Sequence, residues 1–406
     1  MSSNTNRTDN PVVIVSAART PMGAFQGELS ALTGHALGTE AIKAAVAKVK
    51  LDENDIDEVI MGCVLPAGQG QAPARQAALN AGLPLKTGAT TVNKMCGSGM
   101  KAVMYAHDQL IAGSADTVLA GGMESMSNAP YLLDKARGGM RMGHGRVIDH
   151  MFHDGLEDTY DTLPNGAGKS MGVFADETAV GAKVSRADQD NFALESLKRA
   201  QAAQSSGAFD GEITPVTYET RKGSVTIDSD ELPKKARPEK IPDLRPAFTK
   251  DGTVTAATSS GISDGAAVLL MMRKSDAEQR GLKVLAEITA HSTSARKPSE
   301  FTLAPIDAIT SVLDKAGWNK DEVDLFEINE AFAVVTLAAM QALDLDHEKV
   351  NVYGGACALG HPIGASGARI LVTLLNAMTQ KDVKKGVASL CIGGGEAVAV
   401  AIQRPE

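Results

Sequence analysis

"GSGMKAVMYAHDQLIAGSADTVLAGGMES" (97–125) and "GASGARILVTLLNAMTQKDVKKGVASLCIGGGEA" (364–397) read as two copies of one unit. Each runs Ser-Gly, an apolar helix, a strand and a glycine turn, with Gly99 and Gly122 matched by Gly367 and Gly394. A repeated α/β unit implies a duplicated fold, and ligands of such sheets gather outside the carboxyl ends of the strands. The same rhythm surrounds both copies. "PVVIVSAARTP" (11–21) and "IDEVIMGCVL" (56–65) read as strands, "TGHALGTEAIKAAVAKVKL" (33–51) and "ARQAALNAGL" (74–83) as helices. This alternation predicts a parallel sheet with helices on its faces.

From 128 to 258 the character changes to Gly-, Pro-, Asp- and Lys-rich loops around one amphipathic helix, "SRADQDNFALESLKRAQAAQSSG". Ser185 is its expected N-cap, with Phe192, Leu194, Leu197 and Ala200 at helical spacing. The predicted organisation is a first half of 1–127 and 259–283, an inserted loop domain of 128–258, and a second half of 284–406.

The chain has 406 residues, too many for one ordinary core. With 43% hydrophobic residues, 40 glycines and 4% aromatics it reads as a soluble α/β enzyme. A net charge of −9 excludes a general nucleic-acid binder, so an anionic ligand must meet a local basic patch. "MSSNTNRTDN" (1–10) lacks the apolar stretch of a secretory signal and has a single Arg, and "QRPE" is no peroxisomal tripeptide. No apolar run suits a membrane span. The expected location is the cytoplasm, where the four cysteines stay reduced.

Cys96 sits just before the helix that opens at Ser98. A helix start favours the thiolate, and its free N–H groups suit a developing oxyanion. The plain alternative is a small buried hydrophobe. His361, in "GGACALGHPIGASGARI", lies between glycines in a tight loop, where an imidazole can activate a thiol. Cys391, in "SLCIGGGEAVAVAI", ends a strand, and the N–H of Gly393 can point inward. Asn329, in "EINEAFA" (327–333), stands at a strand-to-helix transition, either as an amide donor or as a helix N-cap. His144, His150 and His153 fall in a Gly/Asp-rich loop, are expected to be exposed, and show no metal-ligand spacing.

Together, "NKMCGSGMKA", "NEAFA", "GGACALGHPIGASG" and "CIGGGEA", in this order, resemble the thiolase family in its biosynthetic, acetyl-CoA acetyltransferase branch. The likeness runs from about Pro11 to Ile402. It implies a duplicated, layered helix-sheet-helix-sheet-helix fold with a loop domain over coenzyme A. It implies that Cys96 takes up the acyl group, activated by His361, and that Cys391 is the acid/base at the α-carbon. Asn329 (through a water) with His361 would make one oxyanion site, the N–H groups of Cys96 and Gly393 the other. Ser260 matches a serine that bonds the pantetheine. Arg221 and Lys222 match the region at the nucleotide end, although a solvated turn explains them equally.

The implied activity joins two acetyl-CoA into acetoacetyl-CoA or cleaves 3-ketoacyl-CoA, with coenzyme A as substrate, no permanently bound cofactor and no metal. A homo-oligomer, dimer or tetramer, is implied as well. Longer-chain degradative thiolysis is the alternative within the family, and a non-catalytic acyl-CoA carrier the alternative outside it. Ketoacyl synthases would place a histidine at Cys391, and no G-x-G-x-x-G follows the first strand to suggest a nicotinamide. Ser170 (before Met171-Gly172) and Tyr353 depart from the family's pattern of His and Asn, which bears on acyl-chain length. Cys63 is expected in the core and Cys357 behind the His361 loop.

Overall fold

The run Val12–Arg19 forms a strand that is buried almost throughout, because it lies in the middle of the molecule. The computed structural model describes residues 10–49, 51–164 and 166–405; the reading of residues 1–9 as free of a targeting signal lies outside them. Among the described residues, the strand order is Gly88–Val92, Glu58–Gly62, Thr117–Ser125, Ser263–Arg273, Val12–Arg19, then Ala286–Ala295, Glu396–Gln403, Lys385–Ile392 and Leu325–Ile328. The two sets are stitched by a short register only, Val13 opposite Glu287 and Ile14 opposite Ala286.

Each half thus carries its own sheet, and helices fill three layers around them. Helices Gly34–Ala47 and Pro73–Asn80 cover the outer face of the first, meeting Val13, Val15, Leu119 and Val268. Helix Ala304–Ala316 covers the outer face of the second, against Phe326, Val387 and Ala399. Between the sheets lie Ser98–Ala112 and Ser366–Gln380, whose Met100, Val103, Leu371 and Leu374 share one core with strands of both halves. The duplication read from the repeat and the layering implied by the resemblance are therefore both present.

The expectation of a parallel sheet needs correction. Parallel pairing holds for Glu58–Gly62 with its two neighbours and for Leu325–Ile328 with Lys385–Ile392. The other long pairs are antiparallel. Strand Lys385–Ile392 returns as Glu396–Gln403 through Gly393–Gly395, where Gly394 and Gly395 have φ +94° and +92°. A turn this short joins only antiparallel strands, since a parallel crossover needs a dozen residues or more.

The segment 128–258 holds short hairpins, loops and the helix Arg186–Ser205. That helix starts in a capping box of Ser185 and Asp188, and Phe192, Leu197 and Ala200 are buried, as the spacing predicts. A buried ion network docks the segment. Arg19 donates to Glu212 at 2.5 Å and to both oxygens of Asp230 at 2.7 and 2.9 Å. Glu212 also accepts from Thr373 and Asn376 of the second half. No helix among the described residues is long and apolar enough to cross a membrane.

The two central helices touch at their N-terminal ends without side chains between them. A Cβ on Gly99 would lie 2.9 Å from the Ala368 nitrogen and 3.1 Å from the Gly364 oxygen, and one on Gly367 would overlap the Met100 backbone. Backbone cannot yield as a side chain tip can. Gly367→Ala is therefore expected to destabilise the protein by about 3 kcal/mol, the upper range for overpacking, as measured by urea unfolding. Gly113→Ala, which has open space but φ +71°, should cost about 1 kcal/mol.

Candidate active site

Cys96 is held by a strained, hydrogen-bonded loop. Met95 has φ +48°, a left-handed conformation that costs a non-glycine residue roughly 1–3 kcal/mol. Its amide donates to Asn93 Oδ1 at 2.9 Å, while Ser98 Oγ accepts from Lys94 N at 2.8 Å and donates to Met95 O at 2.6 Å. Lys94 Nζ pairs with Glu396 at 2.6 Å, tying this loop to the far side of the Gly393–Gly395 turn. Helix Ser98–Ala112 begins directly after, with Gly97 at the cap.

The Gly393 N–H points at the Cys96 sulfur, and the residue's own N–H does too. Both lower its pKa, but burial outweighs them and raises it above the ordinary thiol range. The helix start alone predicts a lowered pKa; here enclosure prevails, because a charge inside an apolar pocket loses its water. Cys96 therefore rests as a thiol and needs a base. Cys391 is fully buried at the end of Lys385–Ile392. Burial pushes its pKa well up, and the neighbouring Cys96 sulfur adds to the rise. The two thiols are thus electrostatic neighbours.

His361 is buried, and burial, with Arg369 nearby, depresses its pKa to about 3. The imidazole is neutral. Ser366 Oγ lies 2.5 Å from Nδ1 and 2.9 Å from the Pro362 carbonyl. The carbonyl can only accept, so the hydroxyl proton goes there and Nδ1–H donates to Oγ. That leaves the lone pair on Nε2, which has no partner among the described residues and belongs to a residue lining a cavity of about 180 Å3.

Asn329 is also buried, 3.5 Å from His361 through Nδ2, with Oδ1 unpartnered among the described residues. The N-cap alternative fails. Helix Ala333–Leu343 begins later, and Phe332 holds the cap position. The backbone of Asn329 is fixed to the strand edge instead, its N–H bonded to Ser389 O at 3.0 Å.

The cavity beside His361 is lined by Ser259–Ile262, Met171, Phe248 and Phe332 among others, with Ser260 and Ser170 as polar members. The Ser260 N–H is bonded to Ala331 O, and the His361 N–H to Gly261 O. A second cavity of about 350 Å3 is lined by Leu197, Leu232, Ala257 and Ala358, with Lys235, Arg237 and Lys240 as its basic members. The Leu232 side chain abuts Gly261 between the two.

Asn329 thus stands beside His361, His361 and Ser260 line one cavity, and Cys96 neighbours Gly393 and Cys391. Arg221 and Lys222 are different. They occupy the exposed turn of the hairpin Val216–Ile227 and line neither cavity, whereas Lys235, Arg237 and Lys240 do. Tyr353 lies away from the acyl cavity too, packing edge-on to Phe209 and donating to Gln380 at 2.8 Å. Cys63 is in the core as expected, but Cys357 lines the basic cavity instead of merely packing behind the loop. His150 is buried, not exposed, with Nδ1 2.5 Å from Asp154.

One residue is invisible to motif reading. Glu124, from "GGMES", is fully buried and accepts from the N–H groups of Val64, Leu65 and Gly364 at 2.9, 3.1 and 2.9 Å. It joins the first half to the His361 loop. Burial raises its pKa to about 7. An acidic residue beside two glycines could have signalled such a backbone clamp, but only distant contacts identify it.

Comparison with known proteins gives a consistent picture. The model of the "Thiolase, N-terminal domain" matches residues 12–275 and that of the "Thiolase, C-terminal domain" residues 282–404. An acetyl-CoA acetyltransferase of Chromobacterium violaceum is 48% identical over 97% of this chain and 100% of its own. One from Cupriavidus necator is also 48% identical, over 97% of this chain and 99% of its own. A crystal structure of the Bacillus anthracis acetyl-CoA acetyltransferase superposes with a TM-score of 0.94 at 40% identity, covering 98% and 99% of the two chains.

Because both thiols are raised above their ordinary range by burial, alkylation of Cys96 by iodoacetamide should keep accelerating as pH rises through 8 to 9, with Cys391 lagging behind it. Peptide mapping by mass spectrometry reads both rates. A Cys96 rate already level below pH 7 would instead show a standing thiolate–imidazolium pair.

Proposed function

The chain belongs to the thiolase family, and on that premise we propose that it is an acetyl-CoA C-acetyltransferase, condensing two acetyl-CoA to acetoacetyl-CoA and coenzyme A, and running the reverse thiolysis. The observation that carries the reading is the neutral His361 on the small cavity, its Nε2 unpartnered among the described residues and Asn329 3.5 Å away, with Cys96 neighbouring Cys391 and the Gly393 N–H.

In this reading the Cys96 proton passes to His361 Nε2 as the sulfur attacks the acetyl-CoA carbonyl. The N–H groups of Cys96 and Gly393 receive the oxyanion. Coenzyme A departs as a thiolate and takes the Cys391 proton, which leaves acetyl-Cys96 and a Cys391 thiolate. Such a thiolate is a strong base because its site disfavours charge. It removes the α-proton of the second acetyl-CoA, and His361 with Asn329 stabilises the enolate oxygen. The carbanion attacks acetyl-Cys96; the released Cys96 sulfur recovers its proton from His361. Protons balance over the cycle, and two thioesters yield one 3-ketothioester and one thiol. No metal or resident cofactor is called on.

Coenzyme A would run from the basic cavity, with Lys235, Arg237 and Lys240 near its phosphates, past Ser260 to the acyl cavity. The segment 128–258 covers it in this reading, supported by Leu156, Ser170, Met171 and Phe248 in the lining. The small acyl cavity, crowded by Phe152, Phe248 and Phe332, favours short acyl chains over the longer substrates of degradative thiolases. Exposed Tyr131, Met142 and Val147 supply an apolar surface suited to a homo-oligomer, dimer or tetramer. The cytoplasm is the compartment that suits reduced thiols.

Cys96→Ala is expected to lower thiolysis of acetoacetyl-CoA by at least about 10⁴-fold. Cys391→Ala should still gain one acetyl group from acetyl-CoA, seen as a mass increase, yet fail to condense. Condensation at the normal rate by that variant would overturn the role of Cys391. On substrate length, acetoacetyl-CoA should be cleaved faster than a ten-carbon 3-ketoacyl-CoA; the opposite order in the same thiolysis assay would favour the degradative reading.

A further inference from the structure

A second cluster sits toward the other end of the Cys96 helix. His107 lies roughly 13 Å along the helix axis from Ser98, next to Asp108, and His291 faces both from strand Ala286–Ala295 of the second half. His291 Nε2 is 3.0 Å from Asp108 Oδ1 and 3.2 Å from His107 Nδ1; the remaining edge, His107 Nδ1 to Asp108 Oδ1, is 3.3 Å. Three ligand-type atoms therefore form a nearly equilateral triangle. A tetrahedral ion with bonds of about 2.0–2.1 Å has ligand–ligand edges of about 3.3–3.4 Å, so little movement is needed to seat one.

A hydrogen-bonded triad is the other way to account for these contacts. Two ring N–H groups donating to Asp108 would leave the 3.2 Å nitrogen–nitrogen edge without a hydrogen bond, whereas one cation engages all three atoms. The rings are nearly perpendicular, at 85°, which brings two nitrogens of different elements to one point. The site opens on a surface groove of about 590 Å3, lined by His107, Asp108, Ile111 and Glu287 among others, which provides entry and room for a fourth ligand. Asp108 favours positive charge here, while Lys101 and Lys315 near His291 and Arg273 near His107 disfavour it. The same cations oppose any weakly bound ion, so the occupant must be one that imidazole holds strongly.

We propose that His107, Asp108 and His291 bind one divalent transition-metal ion of the zinc, nickel or copper class, fastening the helix behind the nucleophile to the opposite half. The donor set of two imidazoles and one carboxylate suits these ions, not magnesium or calcium, which prefer all-oxygen shells. This site is separate from the acyl-transfer chemistry and does not depend on that reading.

The test uses the full-length protein after chelation and dialysis. Co2+ should give a one-to-one visible absorption band that Zn2+ displaces, and Zn2+ should raise Tm. Asp108→Asn keeps the shape and the possibility of hydrogen bonding but removes the charge; it should weaken Co2+ binding at least about tenfold and abolish the Tm rise. His291→Gln should do the same. His153→Gln, which alters a separate surface His–Glu pair, should leave both readouts unchanged. The proposal is overturned if Co2+ gives no band, if Asp108→Asn and His291→Gln bind as tightly as the parent, or if Mg2+ raises Tm equally.

Discussion

Everything at the active site depends on how closely two helices approach. Gly99 and Gly367 place the starts of Ser98–Ala112 and Ser366–Gln380 backbone against backbone. A larger residue at either position would push the Cys96 loop away from the His361 loop. The pseudo-symmetry of the fold is thus concentrated at one contact, where each half presents a glycine to the other. Glu124 reinforces it by accepting from Val64 and Leu65 on one side and Gly364 on the other. Three N–H groups hold the carboxyl group in place, yet burial still raises its pKa to about 7, so the clamp is strong through geometry more than through charge.

The same close approach creates the electrostatic character of the pocket. Two thiols and one imidazole are driven toward their neutral forms, because each loses more from dehydration than its neighbours return. A resting site without charge suits an apolar thioester. Charge then arises only as bonds change, where N–H donors such as that of Gly393 are already aimed. Preorganised donors act most strongly where water is excluded. The helix start at Ser98 contributes to this arrangement, but it does not by itself ionise the nucleophile.

Much of the fold was legible in the chain. The repeat around Gly99 and Gly367 marks the duplication, the β-branched Val12–Arg19 marks a buried strand, and Ser185 marks a helix start. These signals are local, and local propensities survive folding. Strand direction was not legible: alternation of strands and helices suggested a parallel sheet, but pairing partners come from distant segments such as Val12–Arg19 and Ser263–Arg273. For the same reason the sequence did not single out Lys235, Arg237 and Lys240, which only folding gathers on a cavity wall.

Residue identity and order by themselves determined which groups are available: a cysteine before a Ser-Gly helix start, a histidine between glycines, a second cysteine at a strand end, an asparagine after another. Only the tertiary structure decided their protonation and their company. Ionisation depends on the water a group loses and the dipoles it meets, and both are set by segments hundreds of residues apart in the chain. The His107, Asp108 and His291 triangle follows the same logic, since two of its members are adjacent in sequence and the third reaches them only through packing of the halves.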